Sequence, residues 1–493
     1  MSAFDNEGSR LDPTDWDLFD KEMHRALDVC LKRMRDARSL PWQPKPDTMR
    51  NSISLLGLDE GTPTGAIYDQ IASDIMPYAT GNTHPRFFGW VHGTGLPVAV
   101  GAEMFAATMN SNCGGRDHGA VEVERAVIEW LVGVSGLPSN TAFGILTGGT
   151  SQATVLALSA ARVKLLGAEV RQTGLRALPA VRVYAAEGAH TCIRKALEVM
   201  GHGGDALRDV RVGESGQMDI QALVEAVEED RAAGVLPLAV VGTAGSVNVG
   251  VFDPLRAIGE YCREQGVWFH VDAAFGFWVL LADEPYRGLI AGLELADSMG
   301  LDFHKWASVP YQCGACLVRS GETLRTAFSM RPIYLAGQAR GLAGGDLWFC
   351  DYGMDLSRGF SALKVWASLK SCGVRALGQA ITDNCQQASY MGELVTRSSM
   401  LVLCHIVVSN VCCFRPLADD SSLLGKAVAA GVDVVGEVAA SLQLRGEAVF
   451  STTVIRGHGK CFRACIVNHR TTREDIEVAV RAVEMALQAF HQA

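Results

Sequence analysis

The 493-residue chain predicts an α/β fold built on a mostly parallel sheet. Short apolar runs alternate with amphipathic stretches from about His84 to Gly373, and those runs are too continuous for strands with one wet face. The length also exceeds what one simple core organises, so two or three domains are expected. The pattern divides into an N-terminal helical arm at 1–83, a large domain at 84–372 and a smaller C-terminal α/β domain at 373–493.

The first element is a helix from Trp16 to Arg38, where Phe19, Met23, Ala26, Leu27, Cys30, Leu31 and Met34 recur at helical spacing. The segment Leu40 to Pro46 holds three prolines and breaks it. An arm followed by such a strap suits wrapping around a partner subunit better than forming a core of its own. Within the large domain, Ala142 to Leu146, Val181 to Ala186, Leu238 to Gly242 and Val267 to Val271 read as buried strands. Helices such as Ser151 to Leu165 and Pro254 to Gln265 separate them. Beyond Ser371, strands are expected at Leu401 to Val408, Val411 to Phe414, Phe450 to Val454 and Phe462 to Val467, then a last amphipathic helix from Thr472.

A net charge of −10 with no long basic run argues against nucleic acid as a partner. The 14 cysteines are scattered, and Cys192, Cys316, Cys404, Cys412 and Cys413 sit in apolar runs, as reduced core thiols do. Cys461 and Cys465 lack a second ligand pair, so no metal is expected. Met1 to Arg10 is polar and acidic, unlike a signal peptide. No apolar run reaches the roughly 18 residues a membrane helix needs. These features predict a cytoplasmic protein with no membrane partner.

Candidate chemistry falls just past the strand ends, where ligands sit in open α/β sheets. Thr147-Gly148-Gly149-Thr150-Ser151 follows a strand and opens a helix. It reads either as a phosphate cradle of amides and hydroxyls or as an ordinary capped turn. His190 closes the strand-end segment Glu187-Gly188-Ala189-His190, as a ring-stacking group or a plain loop histidine, and Thr243 occupies an equivalent position. Asp272 ends the apolar run that starts at Val267, followed by Ala273 and Ala274. A carboxylate there is costly to bury unpaired, so a cation is implied. Asp302-Phe303-His304-Lys305-Trp306 then places a lysine between histidine and tryptophan in a lysine-poor region. A lysine to hold an aldehyde and a carboxylate to hold a ring nitrogen are the working pair of a pyridoxal 5'-phosphate (PLP) enzyme.

Taken in order, and with Trp42-Gln43-Pro44 and His84-Pro85-Arg86-Phe87-Phe88-Gly89, these residues resemble the group II PLP-dependent amino-acid decarboxylases, typified by aromatic-L-amino-acid decarboxylase. The resemblance covers most of the chain. It implies the PLP-dependent transferase fold type I and a homodimer with its active sites at the subunit interface. Lys305 then matches the lysine that anchors the cofactor, Asp272 the pyridine partner and His190 the stacking histidine. Thr243 and Ala274 match cofactor-side positions; Thr150, Ser151 and His304 match the phosphate site, with Asp302 assisting. Tyr334, before a glycine-rich stretch read as a mobile lid, matches the general acid that protonates the α-carbon after carbon dioxide leaves. His304, beside the lysine, is a second candidate for proton transfer. Phenylalanine at the tyrosine position marks aldehyde synthases, so Tyr334→Phe is expected to spare cofactor binding and divert product toward aldehyde.

The family's side-chain pocket falls on Trp90, His92 and Gly93, with His118 and Arg116 nearby. His92 and Gly93 depart from a more apolar, proline-containing stretch, and Phe303 stands where the family commonly has proline. Arg116 reads as an interface or solvated residue, and Arg358 as a structural or cofactor-side arginine. The expected reaction is decarboxylation of an L-amino acid, first an aromatic one, to amine and carbon dioxide. Alternatives are a decarboxylase of an acidic or polar amino acid, an aldehyde-forming or transaminating PLP enzyme, and a non-catalytic PLP-binding protein, for which Tyr334 has no use.

Overall fold

The computed structural model describes residues 11–56, 60–176, 178–330, 338, 340–417, 425–426 and 430–492. Strands are numbered along the chain from β1 (Phe87–Phe88). The larger sheet comprises β2 (Phe143–Thr147), β3 (Val181–Ala186), β4 (Leu207–Val210), β5 (Leu236–Thr243), β6 (Trp268–Asp272), β7 (Ser298–Asp302) and β8 (Gly314–Val318). Their order is β2-β8-β7-β6-β5-β3-β4. The strands from β7 across to β4 run parallel, and only β8 opposes its neighbours β2 and β7. The central strands are buried almost throughout, as their unbroken apolar runs require, and α-helices such as Thr150–Leu166 and Leu255–Gln265 pack on the sheet.

The second sheet has β9 (Leu401–Leu403), β10 (Val411–Pro416), β11 (Val449–Ile455) and β12 (Gly459–Cys465), in the order β1-β11-β12-β10-β9. Phe88, Phe414, Phe450 and Phe462 form the aromatic centre of its core, beneath the helices Val434–Leu444 and Arg473–Gln492. The helix Ala362–Arg397 passes from one unit to the other and is broken at Gly373, whose φ of 71° is a left-handed conformation glycine adopts at least cost.

Two placements differ from the sequence reading. β1, inside the range assigned to the large domain, pairs in parallel with β11 of the second sheet through Phe87↔Val449 and Phe88↔Phe450. The strap lies against its own chain: Arg38 donates to both oxygens of buried Asp475, and Pro41 abuts Gly446. The arm helix, Trp16–Arg35, buries none of its residues in this chain and leaves Trp16 and Leu18 exposed. Among the described residues no helix is long and apolar enough to cross a membrane.

Candidate active site

A cleft of about 1030 Å³ opens where the carboxyl ends of the parallel strands meet β11, β12 and the helix Val434–Leu444. Into it project Lys305, Asp272, His190, Thr243, Ala274, Asp302, His304, Thr150 and Ser151, together with Trp90 and His92. The sheet brings them together because each ends a strand or follows one closely. Thr243 and Asp272 are register partners at the tips of β5 and β6, and Asp302 closes β7 two residues before His304.

Asp302 is fixed in place. Its backbone N–H donates to Ala274 O at 3.0 Å, and Trp278 Nε1 donates to its carbonyl at 2.9 Å. Oδ1 accepts the Thr150 N–H at 2.7 Å and Oδ2 lies 2.9 Å from Lys305 Nζ, so one carboxylate ties the lysine to the start of the helix Thr150–Leu166. Room for it exists because residue 314 is glycine; a Cβ there would stand 2.6 Å from Oδ1. His304 sets Nδ1 at 2.8 Å from Cys313 O and 3.1 Å from Cys313 N, and burial lowers its pKa from the ordinary histidine value.

Asp272 is only 4% exposed and has no ion-pair partner among the described residues. Its contacts are the Ala274 N–H at 3.2 Å and the Cys192 thiol at 3.7 Å. Burial raises the Cys192 pKa first, and Asp272 raises it further, so that sulfur keeps its proton and donates it. Among the described residues, therefore, no protein side chain supplies the cation that the sequence demands for Asp272. His190 accepts the Cys192 N–H at Nδ1, leaving Nε2 to carry its proton. At the helix start, Thr150 Oγ1 is buried with no hydrogen-bond partner while Ser151 stands exposed to the cleft.

An orphaned hydroxyl at a helix N-terminus, a buried carboxylate wanting a cation, and a lysine in the same cleft match the phosphate, the ring nitrogen and the aldehyde of PLP. The residues present fit that group.

Two of the expected pocket residues lie elsewhere. Gly93 packs beneath the lysine loop, where a Cβ would stand 2.3 Å from His304 O, so its role is close backbone approach. His118 precedes the helix Gly119–Ser135, with Nε2 3.1 Å from Asn112 O, and does not line the cleft in this chain. Arg116 sets its guanidinium 5.9 Å from the Trp348 ring. Arg358 binds Glu124 at 2.6 Å and Leu146 O at 2.8 Å, the structural one of its two readings. Tyr334 lies outside the described residues.

The sequence reading overlooked Tyr311 and Arg463, both of which line the cleft. Tyr311 packs its ring 4.6 Å from that of His304. Arg463, on β12, donates to Trp90 O at 3.0 Å and to Ser451 Oγ at 3.3 Å. Its signal was available: it is a lone cation inside the apolar run Cys461 to Val467, just as Asp272 is a lone anion in its own.

Comparison with known proteins identifies the family. The chain belongs to the pyridoxal-dependent decarboxylases, whose conserved domain matches residues 46–416. It is accordingly a PLP-dependent carboxy-lyase. It is 30% identical to the aromatic-L-amino-acid decarboxylase of Bos taurus, over 75% of this chain and 78% of that one. It is 28% identical to the aromatic-L-amino-acid decarboxylase of Bacillus atrophaeus over 92% of each. The phenylacetaldehyde synthase of Arabidopsis thaliana is 26% identical, over 84% of this chain and 86% of that one. In fold, the chain superposes on the crystal structure of Oryza sativa TDC with a TM-score of 0.88, at 24% identity, covering 98% of this chain and 100% of that one.

Proposed function

We propose that the enzyme decarboxylates an L-amino acid with an aromatic side chain, releasing the amine and carbon dioxide. The observation that carries this reading is the cleft wall beside Lys305, where the rings of Trp90, His92, Tyr311 and His304 follow one another at 4.6–6.0 Å between centroids. Relatives named as aromatic-L-amino-acid decarboxylases support it.

When bound, PLP supplies an aldehyde that condenses with amines and a protonated ring that accepts the electron pair left on the α-carbon. Lys305 would anchor that aldehyde and give way to the substrate amine. Asp272, with no cation against it among the described residues, would hold the proton on the ring nitrogen. Thr150 and Ser151 hold the phosphate at the helix start, with His304 beside them. His190 would stack on the ring, and Thr243 and Ala274 would shape the cofactor side of the cleft. Tyr334 would supply the proton to the α-carbon, which separates amine from aldehyde as the product.

The chain works as a homodimer. The helix Pro97–Met109 exposes Val98, Val100, Met104, Phe105 and Met109, Phe105 to 68%, and such a stripe is costly to leave in water.

One observation favours a second reading. The buried Arg463 guanidinium has no carboxylate against it among the described residues and suits an acidic side chain, which would make the enzyme a decarboxylase of acidic amino acids. An amine and carbon dioxide assay with a panel of L-amino acids separates the two. Amine from aromatic substrates upholds the proposal, and turnover confined to glutamate or aspartate replaces it with the second reading.

A further inference from the structure

The loop from Gly89 to Leu96 is held at many points. Trp90 takes a φ of 50°, a left-handed conformation that side-chain-bearing residues rarely adopt. Arg463 holds the Trp90 carbonyl, Gly93 N–H donates to His304 O at 3.2 Å, and Leu96 N–H donates to Ser308 O at 2.8 Å. Asn82 donates to Gly93 O, and Thr94 Oγ1 lies 2.9 Å from His469 Nδ1. This many anchors fix the direction in which each side chain of the loop points.

They fix His92 inside the cleft. Its ring stacks on Phe87 at 5.7 Å and 15° and on Trp90 at 5.5 Å and 23°, and meets the Tyr311 ring edge-on at 6.0 Å. Neighbouring polar rings have partners: His304 is bonded to Cys313, and the Tyr311 hydroxyl meets the Gly93 backbone. His92 has none for either nitrogen among the described residues, although it is half-buried on the wall of the cleft. A phenylalanine would stack equally well without an imidazole to desolvate. The nitrogens are therefore the part of this side chain that packing leaves unexplained.

We propose that His92 selects an aromatic amino acid whose ring carries an O–H or N–H group, a phenol or an indole, by hydrogen-bonding that group. The inference rests on the aromatic-substrate reading above and narrows it. Burial, with Lys305 and His304 nearby, lowers the His92 pKa, so the ring is neutral near pH 7 and offers one donor and one acceptor. A phenolic hydroxyl can use either nitrogen, and an indole N–H uses the acceptor. Phenylalanine uses neither and leaves both unpaired. Sites built to hydrogen-bond a ring substituent reject the analogue that lacks it for this reason.

The test is kcat/KM of the purified holoenzyme for L-tyrosine, L-tryptophan and L-phenylalanine, in the wild type and in His92→Phe and His92→Gln. The wild type should favour tyrosine or tryptophan over phenylalanine by about tenfold or more. His92→Phe should bring that ratio to within about threefold of unity, and His92→Gln, which keeps a donor and an acceptor, should recover part of it. Whichever of tyrosine and tryptophan loses more in His92→Phe identifies the ring group. A wild-type enzyme that takes phenylalanine equally well overturns the proposal without needing any variant, as does a ratio that His92→Phe leaves unchanged. Either result, with aromatic turnover intact, leaves the aromatic reading standing. Turnover of acidic amino acids alone removes that reading, and this one with it.

Discussion

Asp272 and Asp302 are two buried carboxylates with opposite surroundings. Asp302 already has a cation and an amide, whereas Asp272 has a thiol and one amide and no side-chain cation among the described residues, which suits the proposed hold on the cofactor's ring. Asp272→Asn should therefore keep the fold and lower kcat by about 10²–10³-fold, because the ring then loses the charge that keeps it protonated. Lys305→Ala should abolish activity and the visible absorbance of the lysine-bound cofactor; absorbance that persists would show that another amine holds it. A third buried group reports on stability. Burial lowers the pKa of His270 to about 4, with Asp272 opposing the shift. Its contribution is complete above the unfolded histidine pKa and is lost as pH falls from about 6.5 to 4. The stability gap between wild type and His270→Asn should narrow by up to about 1.4 kcal/mol per pH unit across that window, as measured by urea unfolding. At this scale the sequence was most readable where chemistry dictates residue type, as at Lys305 and Asp272. At His118 and Gly93 it did not say which way the side chain or backbone faces, and neither residue lines the cleft of this chain.

Among the elements, the central strands β3, β5 and β6, with their near-continuous apolar runs, were legible within two residues of their ends. β7 was not, since Ser-Met-Gly-Leu-Asp carries a glycine, two polar residues and no β-branched side chain. Yet β7 delivers Asp302 to the cleft, and tertiary pairing with β6 and β8 makes it a strand. β2, at the edge of this sheet, depends on a different device. Buried Glu124 accepts from Arg358 at 2.6 Å and from the Leu146 N–H at 3.1 Å, which pins β2 between a helix and the segment carrying Arg358. Arg358→Leu leaves that carboxylate unpaired and should cost about 3–5 kcal/mol. Glu124→Gln in the same background should return part of the loss, because the amide oxygen still accepts from Leu146. A denaturation midpoint unmoved by Arg358→Leu would show that the pair contributes nothing net.

For the whole molecule, the arm helix and the helix Pro97–Met109 both present apolar side chains to solvent in the isolated chain. Phe105→Asp should shift the sedimentation coefficient from that of the proposed homodimer to that of a monomer; an unchanged value would show that this helix forms no subunit interface. The α/β plan was readable from the alternation of strands and helices, but the seam between the units was not. β1 is two residues long, and nothing local to Phe87-Phe88 says that its partner lies at Val449-Phe450. That pairing has a consequence in time. A chain made from its N-terminus exposes this diphenylalanine, and the loop that bears Trp90 and His92, long before β11 has been synthesised. Until then the loop also lacks Arg463, which holds its bend. The loop that we propose selects the substrate is thus among the last parts of the nascent protein to be fixed, and a prematurely terminated product would present its diphenylalanine unpaired.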